Sequence, residues 1–385
     1  MMMAAPSALR NDDLALKAAI ETARTRTLAW FETVRVPDAP EGVIRISGAQ
    51  DADRWPGMLL PGTYNGLLCR HLLDDLASFD PSQRAALVDW FHGFRRPDGV
   101  FRVPGMTDAT VFKKPDKVET WRYIDFHITN YSLGALEAIA PDARPVLDFV
   151  KPWLDTLTLK AWLADRDLRD PWQEGNNIVN LGSFLLLRAA VADGAERVQI
   201  DSLFTELFAW HDRLQEPSTG FWGVGQAHDP VRLQHAMAGS MHNYHLYYTL
   251  GRMLPYQERA VDYALAQPTI CDSACIDVDL VDLLAHAYHQ IDYRRPEIEE
   301  WLRRELRVLL TIQNPDGGFP DCWNGLRRQD GWVGGYQEPQ GLSNSFATWF
   351  RWIAIAMISE ILWPGWRRWN FRRMVGIGYF KGGAA

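Results

Sequence analysis

The sequence predicts an all-α protein, an (α/α)6 toroid in which six outer helices surround six inner ones. Three observations lead there. Helical periodicity alternates between two kinds of segment, a Pro/Gly turn recurs along the chain, and no run alternates with the period of two that strands need. Short hairpins then point every inner helix the same way, so one domain over 13–362 holds one pocket. Residues 1–12 form an N-terminal tail and 363–385 a Trp/Arg-rich C-terminal tail.

Taken in order, the outer helices are the amphipathic segments charged on one face, at 13–34, 82–95, 145–164, 200–215, 256–267 and 296–313. Each is followed by a segment that opens on polar residues and turns apolar on most faces, as a helix enclosed by neighbours does. These inner helices begin near Thr63-Tyr64-Asn65, His127-Ile128-Thr129-Asn130, Asn176-Asn177, Met241-His242-Asn243, Asp277-Val278-Asp279 and Ser343-Asn344. The turn is Phe94-Arg95-Arg96-Pro97-Asp98-Gly99-Val100-Phe101, then Leu214-Gln215-Glu216-Pro217-Ser218-Thr219-Gly220-Phe221, then Ile312-Gln313-Asn314-Pro315-Asp316-Gly317-Gly318-Phe319. Pro and Gly stop a helix and reverse the chain, and a repeat of this kind marks a modular fold.

Charged residues are 23% and hydrophobic ones 47%, ordinary for a globular protein, but 17 Trp, 17 Phe and 12 Tyr make the chain rich in rings. A net charge of −8 without a basic face disfavours a nucleic-acid partner. Met1 to Arg10 lacks an apolar signal core, and no stretch reaches the roughly 20 apolar residues of a spanning helix, which points to the cytoplasm. Cys69, Cys271, Cys275 and Cys322 form no Cys-x-x-Cys pair and read as reduced thiols, with no metal site.

Parallel inner helices bring their first turns to one rim, where unpaired N–H groups favour oxygen-rich ligands. That rim collects Tyr64, Asn65, Asp125, His127 and Asn130 from two helices, Trp172, Glu174 and Asn176 from the third, His242, Tyr244 and His245 from the fourth, and Asn344 from the last. Capping accounts for many such residues. It does not account for Asp277, Asp279 and Asp282, which crowd one entrance where a single cap suffices. Crowded carboxylates raise the pKa of one of their number, giving an acid that stays protonated near neutral pH.

The order of Asp277-Val278-Asp279-Leu280 followed by the Gln313-to-Phe319 turn resembles, over about 271–323, the segment of squalene-hopene-type and class II diterpene cyclases that carries Asp-x-Asp-Asp. Leu280 stands where that motif has its last Asp. The resemblance implies the toroid and acid-initiated cyclisation of a polyprenyl substrate, with Asp279 as the acid, Asp277 as the first Asp and Asp282 in place of the missing neighbour. A lining of Tyr64, Trp121, Tyr123, Trp172, Tyr244, Trp323, Trp332, Tyr336 and Trp349 suits a carbocation. The same rings are also expected in an ordinary core.

Two other readings stand beside it. Clustered amides and carboxylates also suit a glycoside hydrolase, polysaccharide lyase or sugar epimerase acting on an oligosaccharide, with Asp279 or Glu174 as acid and His245 or Tyr244 as base. A non-catalytic toroid binding glycan or lipid is the third. No cofactor is expected, except Mg²⁺ on Asp277, Asp279 and Asp282, helped by Lys117 or Arg122, if the substrate is a diphosphate. His71, His286 and His289 read as structural residues inside helices. The segment Trp363-Pro364-Gly365-Trp366-Arg367-Arg368-Trp369-Asn370-Phe371-Arg372-Arg373 mixes Trp and Arg either as a peripheral membrane anchor or as a tail packed on the outer helices.

Overall fold

The computed structural model describes residues 6–103, 123–166, 168–225, 229–270, 273–322, 329–330 and 336–371, with side chains from residue 11 onward. Almost all regular structure in these residues is helical. The amphipathic helices are α1 (Pro6–Thr33), α3 (Pro81–His92), α5 (Thr156–Ala164), α7 (Gly194–Leu214), α9 (Gln257–Leu265) and α11 (Arg295–Thr311). Each leads to an apolar helix: α2 (Leu59–Leu72), α4 (Tyr123–Ile139), α6 (Pro171–Ala189), α8 (Pro230–Thr249), α10 (Ala274–Gln290) and α12 (Ser345–Leu362). Strand is confined to an antiparallel pair, Gln329–Asp330 with Gln337–Glu338.

The apolar helices pack in chain order, α2 on α4, α4 on α6, α6 on α8, α8 on α10 and α10 on α12, and α12 returns to α2. Among the amphipathic helices, α5 packs on α7, α9 on α11 and α11 on α1. Two pairs of apolar helices are visibly parallel. Gly175 of α6 lies against Gly239 of α8 and Gly182 against Leu246, so both numbers rise together. Along α8 and α10, His242 meets Asp279 and His245 meets Asp282. The α6–α8 approach is so close that a Cβ on Gly175 would sit 2.3 Å from the Gly239 carbonyl oxygen, which explains why both positions lack a side chain.

The recurring turn occurs four times among the described residues. Gly99, Gly220 and Gly317 take positive φ of 101, 78 and 103°. Gly42, with φ 94°, does the same in Val36-Pro37-Asp38-Ala39-Pro40-Glu41-Gly42-Val43-Ile44, a copy hidden in the sequence by its three extra residues. Each turn is pinned to the next apolar helix by one hydroxyl. The N–H groups of Ile44, Phe101, Trp222 and Phe319 donate to Thr63, Thr129, Ser240 and Thr348 at 3.2, 2.9, 2.8 and 2.9 Å. Gln215 and Gln313 tie two of the turns sideways, to the Pro255 carbonyl at 3.1 Å and the Ala23 carbonyl at 2.9 Å.

Several boundaries differ from expectation. The helix expected over 145–164 is two pieces: Pro152, which has no N–H to donate, sits in a 3-10 segment (Asp148–Leu154), and Asp155 caps a fresh helix by accepting from the Thr158 N–H at 2.8 Å. Helix α8 begins at Pro230, eleven residues before the expected Met241, because Asp229 caps it. Helix α1 already runs from Pro6, and Asp12 and Asp13 near its start pair with Arg307 at 2.7 Å and Arg303 at 2.5 Å on α11.

The Ser345–Leu362 helix is the one described helix long and apolar enough to cross a membrane, and 89% of it is buried inside the protein. Beyond it the chain packs across α1 and α2. Lys17 lies over Trp363 and Trp366 at 5.1 and 5.3 Å, Arg367 pairs with Glu21, and Asn370 donates to the His71 carbonyl at 2.9 Å. Arg372 and Arg373 lie outside the described residues.

Candidate active site between two inner helices

On α10, Ser273 supplies the cap, so the three carboxylates of the next turns are free for other contacts. They separate by helical geometry, since positions three apart share a face and positions two apart do not. Asp277 faces α12, where its carboxylate is bonded to Arg351, both side chains fully buried. Asp279 and Asp282 face α8 instead.

Asp282 is flanked by two histidines: His245 Nε2 is hydrogen-bonded to Oδ2 at 3.0 Å across the helix pair, and His286 Nδ1, one turn along the same helix, lies 2.9 Å from Oδ1 and 3.0 Å from the Asp282 backbone carbonyl. Burial opposes its charge, but the histidines outweigh burial and hold its carboxyl below the usual range. Tyr248 stacks on the His286 ring at 4.2 Å. The sequence reading set His286 aside as structural, yet its Asp282-to-His286 spacing of four placed it on this face.

Asp279 is the opposite case. It is 0% exposed, and neither carboxylate oxygen has a hydrogen-bond partner among the described residues. His242 Nε2 stands 3.9 Å from Oδ1, beyond hydrogen-bond range. Burial first, then the charges of Asp282 and Asp277, holds the Asp279 carboxyl well above its usual value. Burial, then His245, pushes His242 down to about 3 against the pull of Asp282, leaving that ring neutral near pH 7. A carboxyl biased toward its protonated form therefore faces a neutral imidazole, between two carboxylates that are each held by partners.

Aromatic rings continue the site across the interior. Tyr131 lies 5.4 Å from Tyr64, 4.5 Å from His127 and 5.3 Å from Trp349, and Tyr123 lies 5.3 Å from His127. Burial raises the Tyr131 hydroxyl first, with Cys275, Tyr64, Tyr123 and Asp279 adding to it, so these groups share one electrostatic neighbourhood. Asn65, beside Tyr64 on α2, is fully buried with both amide atoms unpartnered among the described residues.

Other expected residues serve structure. Asp125 is bound by Arg102, whose Nε donates at 2.9 Å. Glu174 accepts from Arg166 at 3.1 Å and Asn177 at 3.2 Å, and Asn176 donates to the Trp172 carbonyl at 3.0 Å. Trp172 itself sits 5.3 Å from His235. Tyr244 turns outward and donates to the Gly220 carbonyl at 2.6 Å, and Asn344 caps α12 by accepting from the Ala347 N–H at 2.7 Å. Tyr336 belongs to a separate cluster with Ile46 and Met58. Trp121, Trp323, Trp332, Lys117 and Arg122 lie outside the described residues. The sequence reading missed Tyr131, Cys275 and Arg351, although an arginine within an apolar helix and a cysteine one turn before Asp279 were visible signals.

Two sets of side chains bring metal-binding atoms within 4.8 Å of one another: His245, Asp282 and His286, and His242, Cys275 and Asp279. The expected Asp277, Asp279 and Asp282 set is not among them, because Asp277 turns to Arg351. No family model matches the chain, and no curated protein and no solved structure matches it.

Proposed function

We propose that the protein is an (α/α)6 toroid enzyme in which Asp279 is a protonated acid that starts cyclisation of a polyprenyl chain, as in the cyclases its 271–323 segment resembles. The cycle of apolar helices from α2 round to α12 and back supports the toroid. The observation that carries the reaction is Asp279 itself, a fully buried carboxyl with no hydrogen-bond partner among the described residues and a raised pKa, beside aromatic rings. Such a group costs stability, and an acid that must surrender its proton to a weakly basic alkene is a use that repays the cost.

In this reading the Asp279 proton passes to a substrate double bond, whose π electrons form the new C–H bond and leave a carbocation. Asp277, held by Arg351, and Asp282, held by His245 and His286, stay ionised and stabilise the developing positive charge. The faces of Tyr64, Tyr131 and Trp349 do the same further along the chain. A proton lost from the last carbocation closes the sequence, so product and substrate are isomers.

The Asn65 amide, without a hydrogen-bond partner among the described residues, favours a second reading, a sugar hydroxyl bound in the interior. Purified protein incubated with squalene, polyprenyl diphosphates and oligosaccharides, with and without Mg²⁺, separates the two. The proposal expects a cyclic polyprene from the wild type and a rate lower by on the order of a hundredfold or more in Asp279→Asn. Saccharide turnover without polyprenyl product, or full activity in Asp279→Asn, overturns it.

A further inference from the structure

We propose that His245, Asp282 and His286 form a site for a divalent transition-metal ion of the zinc class, one helical turn beyond Asp279. Three observations point to it. The donors are two imidazole nitrogens and a carboxylate: His245 Nε2 lies 3.0 Å from Oδ2 and His286 Nδ1 2.9 Å from Oδ1 of Asp282, and the set holds one ligand atom from each residue within 4.8 Å of the others. Ligands about 2.0–2.2 Å from a tetrahedral ion are spaced by roughly 3.3–3.6 Å, so the set has to open by only a few tenths of an ångström to admit one. All three side chains come from two adjacent, parallel helices and are at most 4% exposed, so the set is built into the core.

The second observation is the spacing. Asp282 and His286 are four apart on α10, which puts both on one face, and His245 enters from the facing α8 at the level of Asp282. The third is that the surroundings hold a polar atom a simple hydrogen-bonded cluster would not strand. His245 Nδ1 is buried without a hydrogen-bond partner among the described residues. Tyr248 lies close enough to Asp282 to feel its charge, and its ring stacks on His286.

The donor set selects the ion. Imidazole suits zinc, cobalt, nickel, copper and iron, whereas magnesium and calcium prefer sites built of oxygen. Three protein ligands leave one coordination position open, the pattern of a catalytic or substrate-binding ion and not of a closed structural one. The inference stands apart from the acid role of Asp279, whose raised pKa owes most to burial.

The test uses the whole chain, stripped with a chelator and titrated with Co²⁺. The proposal expects visible ligand-field absorption that saturates at one ion per chain, displacement by Zn²⁺, and a rise in melting temperature with added ion. Each of His245→Gln, Asp282→Asn and His286→Gln should weaken binding by at least about a hundredfold, because even outer-shell changes cost up to that much. Asp279→Asn should keep the site, so a failed acid hypothesis and a failed metal hypothesis give different results. Absence of Co²⁺ absorption in the wild type overturns the proposal whether or not the variants fold. Binding that survives His286→Gln but is lost in His242→Gln and Asp279→Asn also overturns it, since the ion would then sit on His242, Cys275 and Asp279.

Discussion

Replacing Asp279 by Asn should remove a specific pH dependence of stability. In the folded protein the carboxyl is held well above its usual value by burial and by Asp282 and Asp277, while in the unfolded chain it titrates near the ordinary ~3.9. Above that ordinary value the unfolded chain gives up a proton that the folded one keeps. The folded state thus binds more protons, and its stability falls as pH rises toward the raised pKa. The loss is about 1.4 kcal/mol for each pH unit lying between the two values. An unfolding entropy of about 2.1 cal/mol/K per residue amounts to ~0.8 kcal/mol/K for 385 residues, so that loss lowers the melting temperature by about 1.7 °C per unit. Asn has the same shape and never ionises. Scanning calorimetry of both proteins from pH 5 upward should show the wild type falling more steeply, with the gap widening by that amount per unit until the folded pKa is reached. Parallel pH profiles would refute the raised pKa and with it the acid role.

Three further outcomes follow from the packing. Arg351→Met leaves Asp277 buried without its cation and should cost about 3–5 kcal/mol in denaturant unfolding, most of it recovered in the double variant with Asp277→Leu. Gly239→Ala would place a Cβ 2.1 Å from the Pro171 carbonyl oxygen, so a loss of about 1–3 kcal/mol is expected, seen as a lower urea midpoint. Thr348→Val keeps the shape but removes the acceptor for the Phe319 N–H, and about 1–3 kcal/mol should go with it; amide exchange at Phe319 should quicken in step.

The alternation of helix types was legible because enclosed helices must be apolar on most faces, as the 18 residues of Ser345–Leu362 are. Boundaries were less so. Pro230 to His235 carries polar residues that continue α8 before it is enclosed, so its start was hidden, and Pro152 split a segment whose periodicity looked continuous. At the site, the Asp triplet stood out and its division between faces followed from helical spacing. What the sequence did not reveal was who answers each carboxylate, because Arg351, His245 and His286 come to α10 through packing of distant segments or were discounted as single histidines. Glu174 and Asp125 lost their candidacy in the same way, to Arg166 and Arg102.

The His245–Asp282 hydrogen bond also acts as a register key for α8 against α10. Two apolar helix faces can slide by a turn with little change in buried area, since one leucine surface serves nearly as well as another. Here a slip of one turn would bring His245 opposite Asp279 and take from Asp282 its interhelical partner, at a cost of about 3–5 kcal/mol. The polar residues that make the site chemically demanding thereby select one alignment out of several that hydrophobic packing alone would tolerate.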